Sequence, residues 1–123
     1  MSKYRNIKIN TSIGTFDSKL EFKHYQELVL LQKAKLISDL QRQYRIPLLC
    51  KEARLSYIAD FVYFDNKRQC YVIADTKGIL TDVYKIKKKI LLSTFSNIII
   101  LELFKDKTKE NKPYGIAKEL FTI

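Results

Sequence analysis

Three acidic residues and one lysine have the types and the spacing that chemistry would need. Asp60 and Asp75 each lie in a segment rich in apolar residues, and Lys77 follows two positions after Asp75. Buried charges are costly unless they are paired or coordinate a cation, so carboxylates in such segments indicate a site that requires them. Glu21 is a third acid, on the side of a predicted helix that faces the sheet.

Convergent carboxylates are hard oxygen ligands of the kind that Mg²⁺ and Mn²⁺ take, and these cations complete their shell with water and phosphate oxygens. A lysine beside them could orient the attacking water and stabilise charge on phosphate. These residues together predict phosphodiester hydrolysis. Each also has a structural alternative: Glu21 as a member of a capping box, Asp60 as a buried ion pair, and Asp75-x-Lys77 as the end of a strand or a surface ion pair.

The elements that must position these residues are predicted in the order α-β-β-β-α-β from Phe16 onward. A helix begins at Ser18, three residues before Glu21, and runs toward Leu36. A short strand follows over 44–50, with Pro47 placing it at an edge or a bulge. Segments 56–64 and 70–76 are rich in β-branched and aromatic residues and predict a hairpin with a five-residue loop.

The second half of the chain predicts a helix and a buried strand. Gly78 ends the hairpin strand and Thr81 or Asp82 caps the helix. Helical spacing predicts an apolar face of Val83, Ile86, Ile90 and Leu91. The continuous apolar run 98–101 predicts a central strand. We also expect a strand within 4–10 and a short amphipathic helix over 114–123.

Strand alternation predicts which side chains share a face, since residues two apart point the same way. It places Asp60 on one face with Ile58, Val62 and Phe64. It places Asp75 and Lys77 on one face with Tyr71 and Ile73.

Composition bounds the class of protein. The chain has 123 residues, of which 46% are hydrophobic and 29% charged, as expected for one folded domain. Its net charge of +10 favours a polyanionic partner, with nucleic acid first, although lysines also simply solubilise a surface. No apolar run is long enough to span a membrane and the N-terminus lacks a signal-peptide pattern, so we expect a cytoplasmic protein without a membrane partner. Cys50 and Cys70 lack the spacing and number of a zinc site and are expected to be reduced.

The motifs resemble the PD-(D/E)XK nuclease superfamily, and in particular a small phage-encoded branch related in pattern to compact Holliday-junction resolvases. The resemblance covers about residues 16–104, with Ala59 in place of the motif's proline and Asp75 as the shorter of the allowed acids. The matching stretches are Phe16-Asp17-Ser18-Lys19-Leu20-Glu21, Ala59-Asp60-Phe61, Asp75-Thr76-Lys77-Gly78 and Tyr84-x-x-Lys87-x-Lys89.

This resemblance implies a restriction-endonuclease-like α/β core with a mixed sheet flanked by helices. The nuclease core domain is expected over residues 1–104, with 1–15 adding a strand, and the residue pattern predicts a charged tail over 105–123. The same resemblance implies a metal-dependent endodeoxyribonuclease in which Glu21, Asp60 and Asp75 hold Mg²⁺, for which Mn²⁺ can substitute. The carbonyl of Thr76 would complete the site, and Lys77 would assist the attacking water.

Residues for DNA contact come from the resemblance and from a charged patch on the second helix. Lys87 and Lys88 follow Tyr84 by three and four positions, so the three form one patch. His24, one turn after Glu21, could approach phosphate but is expected to be a surface histidine. Gln43 lies where related nucleases sometimes place a polar active-site residue, but the favoured interpretation is an ordinary loop glutamine. The residues predicted to bind DNA are Lys19, Tyr84, Lys87, Lys88 and Lys89.

The expected substrate is branched DNA such as a four-way junction, read through phosphates and shape rather than base edges. Two paired cuts in a symmetric junction suggest a homodimer, and a phage or mobile-element origin fits the resemblance. Two alternatives stay open: a recombination, replication or restriction-type nuclease acting on flaps, ends or linear DNA, and a non-catalytic basic nucleic-acid-binding protein.

Overall fold

Two helices and seven strands are present in the computed structural model, which describes residues 9–11, 14–49, 51–77, 80–95 and 97–111. Their order confirms the predicted α-β-β-β-α-β core and adds an N-terminal hairpin and a last short strand. In chain order the elements are β1 (Ile9–Thr11), β2 (Gly14–Phe16), α1 (Lys19–Lys33), β3 (Ile37–Leu48), a 3-10 turn (Lys51–Ala53), β4 (Leu55–Asp65), β5 (Cys70–Thr76), α2 (Asp82–Thr94), β6 (Ile98–Leu103) and β7 (Thr108–Glu110).

The main sheet has five strands in the order β3-β4-β5-β6-β7. β5 and β6 are parallel, as the helical crossover through α2 requires, and the other pairs are antiparallel. The protein is therefore an α/β domain with a mixed sheet, as predicted. The apolar run in β6 occupies an interior position between β5 and β7, which confirms that it forms a buried strand.

The two helices cover opposite faces of this sheet, as alternation along β5 shows. Val72 and Ala74 pack in one apolar cluster with Leu28 of α1. Tyr71 and Ile73 pack in a second cluster, to which α2 contributes Tyr84 and Leu91.

Strand β3 is longer than predicted, since it begins at Ile37 rather than at residue 44. Its first half carries polar residues at most positions because β3 is an edge strand with one face largely in solvent, and such a segment lacks an apolar pattern. Pro47 lies on this edge strand, where a missing backbone donor is tolerated. The hairpin loop has four residues rather than five, because Asp65 pairs with Cys70.

The buried face of α2 differs in part from the prediction, and α1 ends earlier than predicted. Val83 and Ile86 of α2 are 62% and 59% exposed, while Tyr84 and Leu91, seven residues apart, are buried. Helix α1 ends at Lys33, and Leu36 beyond it is 51% exposed. The aromatic Tyr84 decides the phase of α2 because its ring packs beside Tyr57 under the sheet.

The chain ends are described in part. Of the strand predicted within 4–10, residues 9 and 10 belong to β1, while 4–8 lie outside the described residues. The helix predicted over 114–123 and the residues Cys50 and Gly78 lie outside them too. The charged segment that begins at 105 contains β7, which pairs with β6. None of the helices described is long and apolar enough to cross a membrane.

Candidate functional site

Glu21 is placed by the first turn of α1. Ser18 is the N-cap residue, and its Oγ accepts a hydrogen bond of 3.1 Å from the backbone N–H of Glu21. This capping bond uses the main chain of Glu21 and leaves its carboxylate for other partners. The Glu21 side chain turns toward the sheet and is 1% exposed, which confirms the predicted helix face.

Asp60 is placed by an irregularity in β4. Ala59 and Val62 both pack in the apolar cluster that contains Leu91 of α2, although they are three residues apart. Phe61 packs in the cluster that contains Leu28 of α1. Strict alternation therefore breaks at this point, and the prediction that Asp60 shares a face with Val62 is wrong. Oδ2 of Asp60 instead accepts hydrogen bonds from the backbone N–H and the hydroxyl of Thr76, at 2.9 and 3.0 Å.

Asp75 lies at the end of β5 and is 2% exposed. Its Oδ1 accepts a hydrogen bond of 2.9 Å from the backbone N–H of Asp60, and its Oδ2 accepts one from the Tyr57 hydroxyl. The ammonium of Lys77 lies 3.9 Å from the centre of the Tyr84 ring, on the same side of the sheet. Asp75 and Lys77 thus share the α2 face, as alternation predicts.

Gln43 joins two of the acids. It lies in β3 with a φ of +48°, and its Nε2 donates to Oε2 of Glu21 at 3.2 Å and to Oδ1 of Asp60 at 3.4 Å. The expectation of an ordinary loop glutamine is therefore wrong. Two carboxylates 39 positions apart in the chain converge on one amide nitrogen.

Electrostatics at this point are unfavourable to two negative charges. Burial, followed by the nearby charges of Asp60 and Asp17, raises the pKa of Glu21 to about 7, against the opposing effects of Arg42 and Gln43. The guanidinium of Arg42 lies 4.0 Å from Glu21 and also stacks 3.8 Å from the Phe16 ring centre, so it compensates only in part.

Asp75 is perturbed in the same direction. Burial raises the pKa of Asp75 to about 6, and the positive charge of Lys77 opposes that rise. The site therefore concentrates acidic groups in excess of the positive charges that face them.

The donor set fits a small divalent cation at Glu21 and Asp60. Mg²⁺ commonly takes one or two protein carboxylates and completes its octahedron with water and substrate phosphate. Across the described residues, no three Asp, Glu, His or Cys side chains are grouped to hold a metal ion. Asp75 directs both of its oxygens to Tyr57 and to the Asp60 main chain, so in this arrangement it supports Asp60.

The predicted DNA-contact residues differ in their surroundings. Tyr84 is 9% exposed, and its hydroxyl donates to Oε2 of Glu102 at 2.6 Å. Lys88 donates to the same oxygen at 3.2 Å. These two side chains are thus engaged with Glu102, an acid in the apolar strand β6. Lys19 and Lys89 are exposed, and Lys87 is half-buried.

Several residues of the site are missed by sequence reasoning. Glu102 interrupts the apolar run of β6 and Tyr57 lies near the start of the apolar strand β4. A polar group in such a position could have marked both residues as candidates for the site. Arg42 lies in a polar edge strand and gave no signal, whereas Gln43 was noted through the resemblance but interpreted as a loop residue. His24, expected at the surface, is half-buried with its ring centre 5.5 Å from that of Phe61.

Comparison with known families places the chain in one of them. The sequence model of the family described as "Protein of unknown function (DUF1064)" matches residues 1–110, and the chain belongs to that family. Neither the curated proteins nor the solved structures include a match to this chain.

Proposed function

We propose that this DUF1064 protein is a metal-dependent endodeoxyribonuclease. The observation behind the proposal is the convergence of Glu21 and Asp60 on the amide nitrogen of Gln43, with oxygens 3.2 and 3.4 Å away. The motif order that resembles PD-(D/E)XK nucleases and the net charge of +10 support the same conclusion.

Glu21 and Asp60 are the residues that would hold Mg²⁺ or Mn²⁺. Such a cation supplies Lewis acidity toward a phosphate oxygen. Gln43 keeps the two carboxylates together through its amide donors. Thr76 fixes the Asp60 carboxylate from its backbone N–H and hydroxyl, and so leaves Oδ1 for the site.

Asp75 and Lys77 complete the proposed machinery from β5. Asp75 accepts from the main chain of Asp60 and therefore fixes the irregular backbone that aims Asp60. The resemblance assigns to Lys77 the orientation of the attacking water and the stabilisation of charge on phosphate, a role that requires its side chain to turn from the α2 face toward Glu21 and Asp60. Its ammonium is held at the Tyr84 ring, a contact that suits a cation.

The proposed substrate is branched DNA such as a four-way junction. Exposed and half-buried lysines on α1 and α2, among them Lys19, Lys87 and Lys89, would contact phosphates. A symmetric junction needs two cuts, which suits a homodimer with an isologous interface. A cytoplasmic location in a bacterial host, with the protein encoded by a phage or mobile element, belongs to the same proposal.

The test is cleavage of a labelled four-way junction and of a matched linear duplex, with Mg²⁺, with Mn²⁺ and with EDTA. Glu21→Gln and Asp60→Asn are expected to lower the cleavage rate by about 100-fold or more. Each change removes a carboxylate that would hold the cation, and the cation would stabilise the charge that develops on phosphate in the transition state. Glu52→Gln removes an exposed carboxylate outside the site and is the matched control, expected to cut like the wild type.

Each result has a distinct meaning. Equal metal-dependent cutting of junction and duplex would keep the nuclease and discard junction selectivity, in favour of a flap, end or linear-DNA nuclease. Tight binding without cutting would indicate a non-catalytic nucleic-acid-binding protein. The observation that favours this second function is that both oxygens of Asp75 are hydrogen-bonded inside the protein.

A further inference from the structure

A cleft of about 310 Å³ lies between α1 and the turn that joins β6 to β7. Its apolar lining comes from Leu20, Leu103 and Phe104, and its basic lining includes Lys105 and Lys107. Small-ligand pockets span roughly 300–1,000 Å³, so this cleft has room for one unit of a polymer such as a nucleotide.

The cleft and the candidate site share helix α1. Leu20 in its lining directly precedes Glu21 on α1. On the sheet side, the backbone N–H of Lys77 donates to the carbonyl of Leu103 at 2.7 Å, which joins the ends of β5 and β6. A strand bound in the cleft would therefore lie along the helix that carries Glu21 and near the strand that carries Asp75.

Positive charge surrounds the cleft. Lys23 of α1 adds to the two lysines of the turn, and Glu27 is the acid in the lining. The ammonium groups of Lys107 and Lys109 lie 5.4 and 5.8 Å from the centre of the Phe104 ring. Asp106 lies between the two lysines of the turn and is exposed, and the net charge around the cleft stays positive.

A buried polar atom without a partner belongs to the same lining. His24 contributes to the cleft, and its Nε2 is buried with no hydrogen-bond partner among the described residues. Buried polar atoms are usually satisfied by protein, water or ligand. Burial lowers the pKa of His24, so its ring is neutral near pH 7 and offers one donor and one acceptor nitrogen.

We propose that this cleft binds an unpaired segment of DNA next to the bond that is cut. Lysines around an apolar floor with an aromatic ring are the combination that holds single strands, because phosphates take the charges and bases or sugars pack on the ring. The link to cleavage rests on the proposed function, whereas binding in the cleft is measured without cleavage.

The first experiment measures binding in EDTA by fluorescence anisotropy, with a labelled oligothymidylate and a blunt duplex of the same length. The double variant Lys105→Ala, Lys107→Ala is expected to bind the single strand about 10- to 30-fold more weakly at 0.1 M salt. Its slope of log K against log salt should flatten by about 1.4, since each single-strand phosphate contact contributes about 0.7. Lys33→Ala, Lys67→Ala removes the same charge from exposed positions and is expected to change affinity less than about threefold.

A second experiment follows the aromatic ring directly. The chain contains no tryptophan, so Phe104→Trp introduces a single reporter. Its fluorescence is expected to be quenched by oligothymidylate, because bases stack on aromatic side chains. Leu36→Trp, at a 51% exposed position beyond the end of α1, is the matched control and should not respond.

Three outcomes would overturn the inference: an equal loss of affinity in both lysine pairs, equal binding of duplex and single strand, or a Phe104→Trp signal indifferent to DNA. None of these concerns the nuclease, whose failure appears as absent metal-dependent cutting with binding in the cleft intact. Circular dichroism melts of each variant show whether it is folded.

Discussion

At the scale of single residues, the candidate site holds Glu21 in a setting that disfavours its charge. The carboxylate is 1% exposed and faces Asp60 through the amide of Gln43, while Arg42 stays 4.0 Å away. A cation between the two acids would remove this repulsion, whereas in its absence a proton on Glu21 does so. Proton and metal are therefore expected to compete at this residue.

The pH dependence of stability follows from that setting. The pKa of Glu21 rises from 4.5 to about 7 in the folded state, so between those values the folded protein binds more protons than the unfolded chain. This contribution to stability is complete below pH 4.5 and is lost as the pH rises through 7. The pKa of Asp75, raised to about 6, changes the stability with pH in the same direction.

Glu21→Gln is expected to make the metal-free protein more stable at pH 8, by on the order of 2–3 kcal/mol, with little difference at pH 4.5. The amide keeps the size of the side chain and removes its charge. Urea unfolding in EDTA at the two pH values measures this, with Glu52→Gln as the exposed control. Equal stability of variant and wild type at pH 8 would show that Glu21 carries no unfavourable charge.

The acids could be singled out from the sequence, while their common partner could not. Asp60 and Asp75 stand out because a charge in an apolar strand needs a physical reason. Gln43 is one polar residue among many in an edge strand, and its role depends on a backbone φ of +48° that alternation does not reveal. The role of such a residue depends on the tertiary structure, which local sequence does not show.

At the scale of elements, the N-terminus of α1 connects local sequence to the site. The Oγ of Ser18 accepts the backbone N–H of Glu21, so one hydrogen bond both starts the helix and fixes the residue that bears the carboxylate. Loss of this cap is expected to loosen the first turn and the position of Glu21 together.

Ser18→Ala is expected to destabilise the protein by about 1 kcal/mol, since it removes a helix cap. Ser93→Ala is the matched control, because Ser93 is exposed and its hydroxyl donates to the carbonyl of Ile90 near the end of α2. Chemical denaturation of the two variants at pH 7 gives the comparison. A Ser18→Ala protein as stable as Ser93→Ala would mean that the cap contributes nothing.

Elements with a strong local pattern were predictable, and those whose pattern depends on the sheet edge were not. The β4–β5 hairpin and β6 have dense β-branched and aromatic runs, so their existence followed from the sequence. The start of β3 and the buried face of α2 could not be predicted in the same way. Polar edge residues hide the strand, and packing of Tyr84 rather than apolar spacing sets the helix phase.

At the scale of the whole molecule, a net charge of +10 accompanies a small site rich in acids. The positive charges are distributed over the surface and attract nucleic acid at a distance, whereas Glu21 and Asp60 would act on one phosphate. Binding and cutting should therefore separate, since they depend on different groups.

Asp60→Asn is expected to lose cutting and to bind DNA in EDTA at least as tightly as the wild type, because the change removes a negative charge near the phosphate. The slope of log K against log salt should stay the same, as no phosphate contact is lost. Lys87→Ala, Lys89→Ala should instead flatten the slope by about 1.8 on duplex DNA, at about 0.9 for each contact. Anisotropy titrations between 50 and 200 mM salt distinguish the two cases. Weak binding by Asp60→Asn would place this carboxylate in DNA recognition or folding rather than in a catalytic centre, and a melt of the same sample tells those two apart.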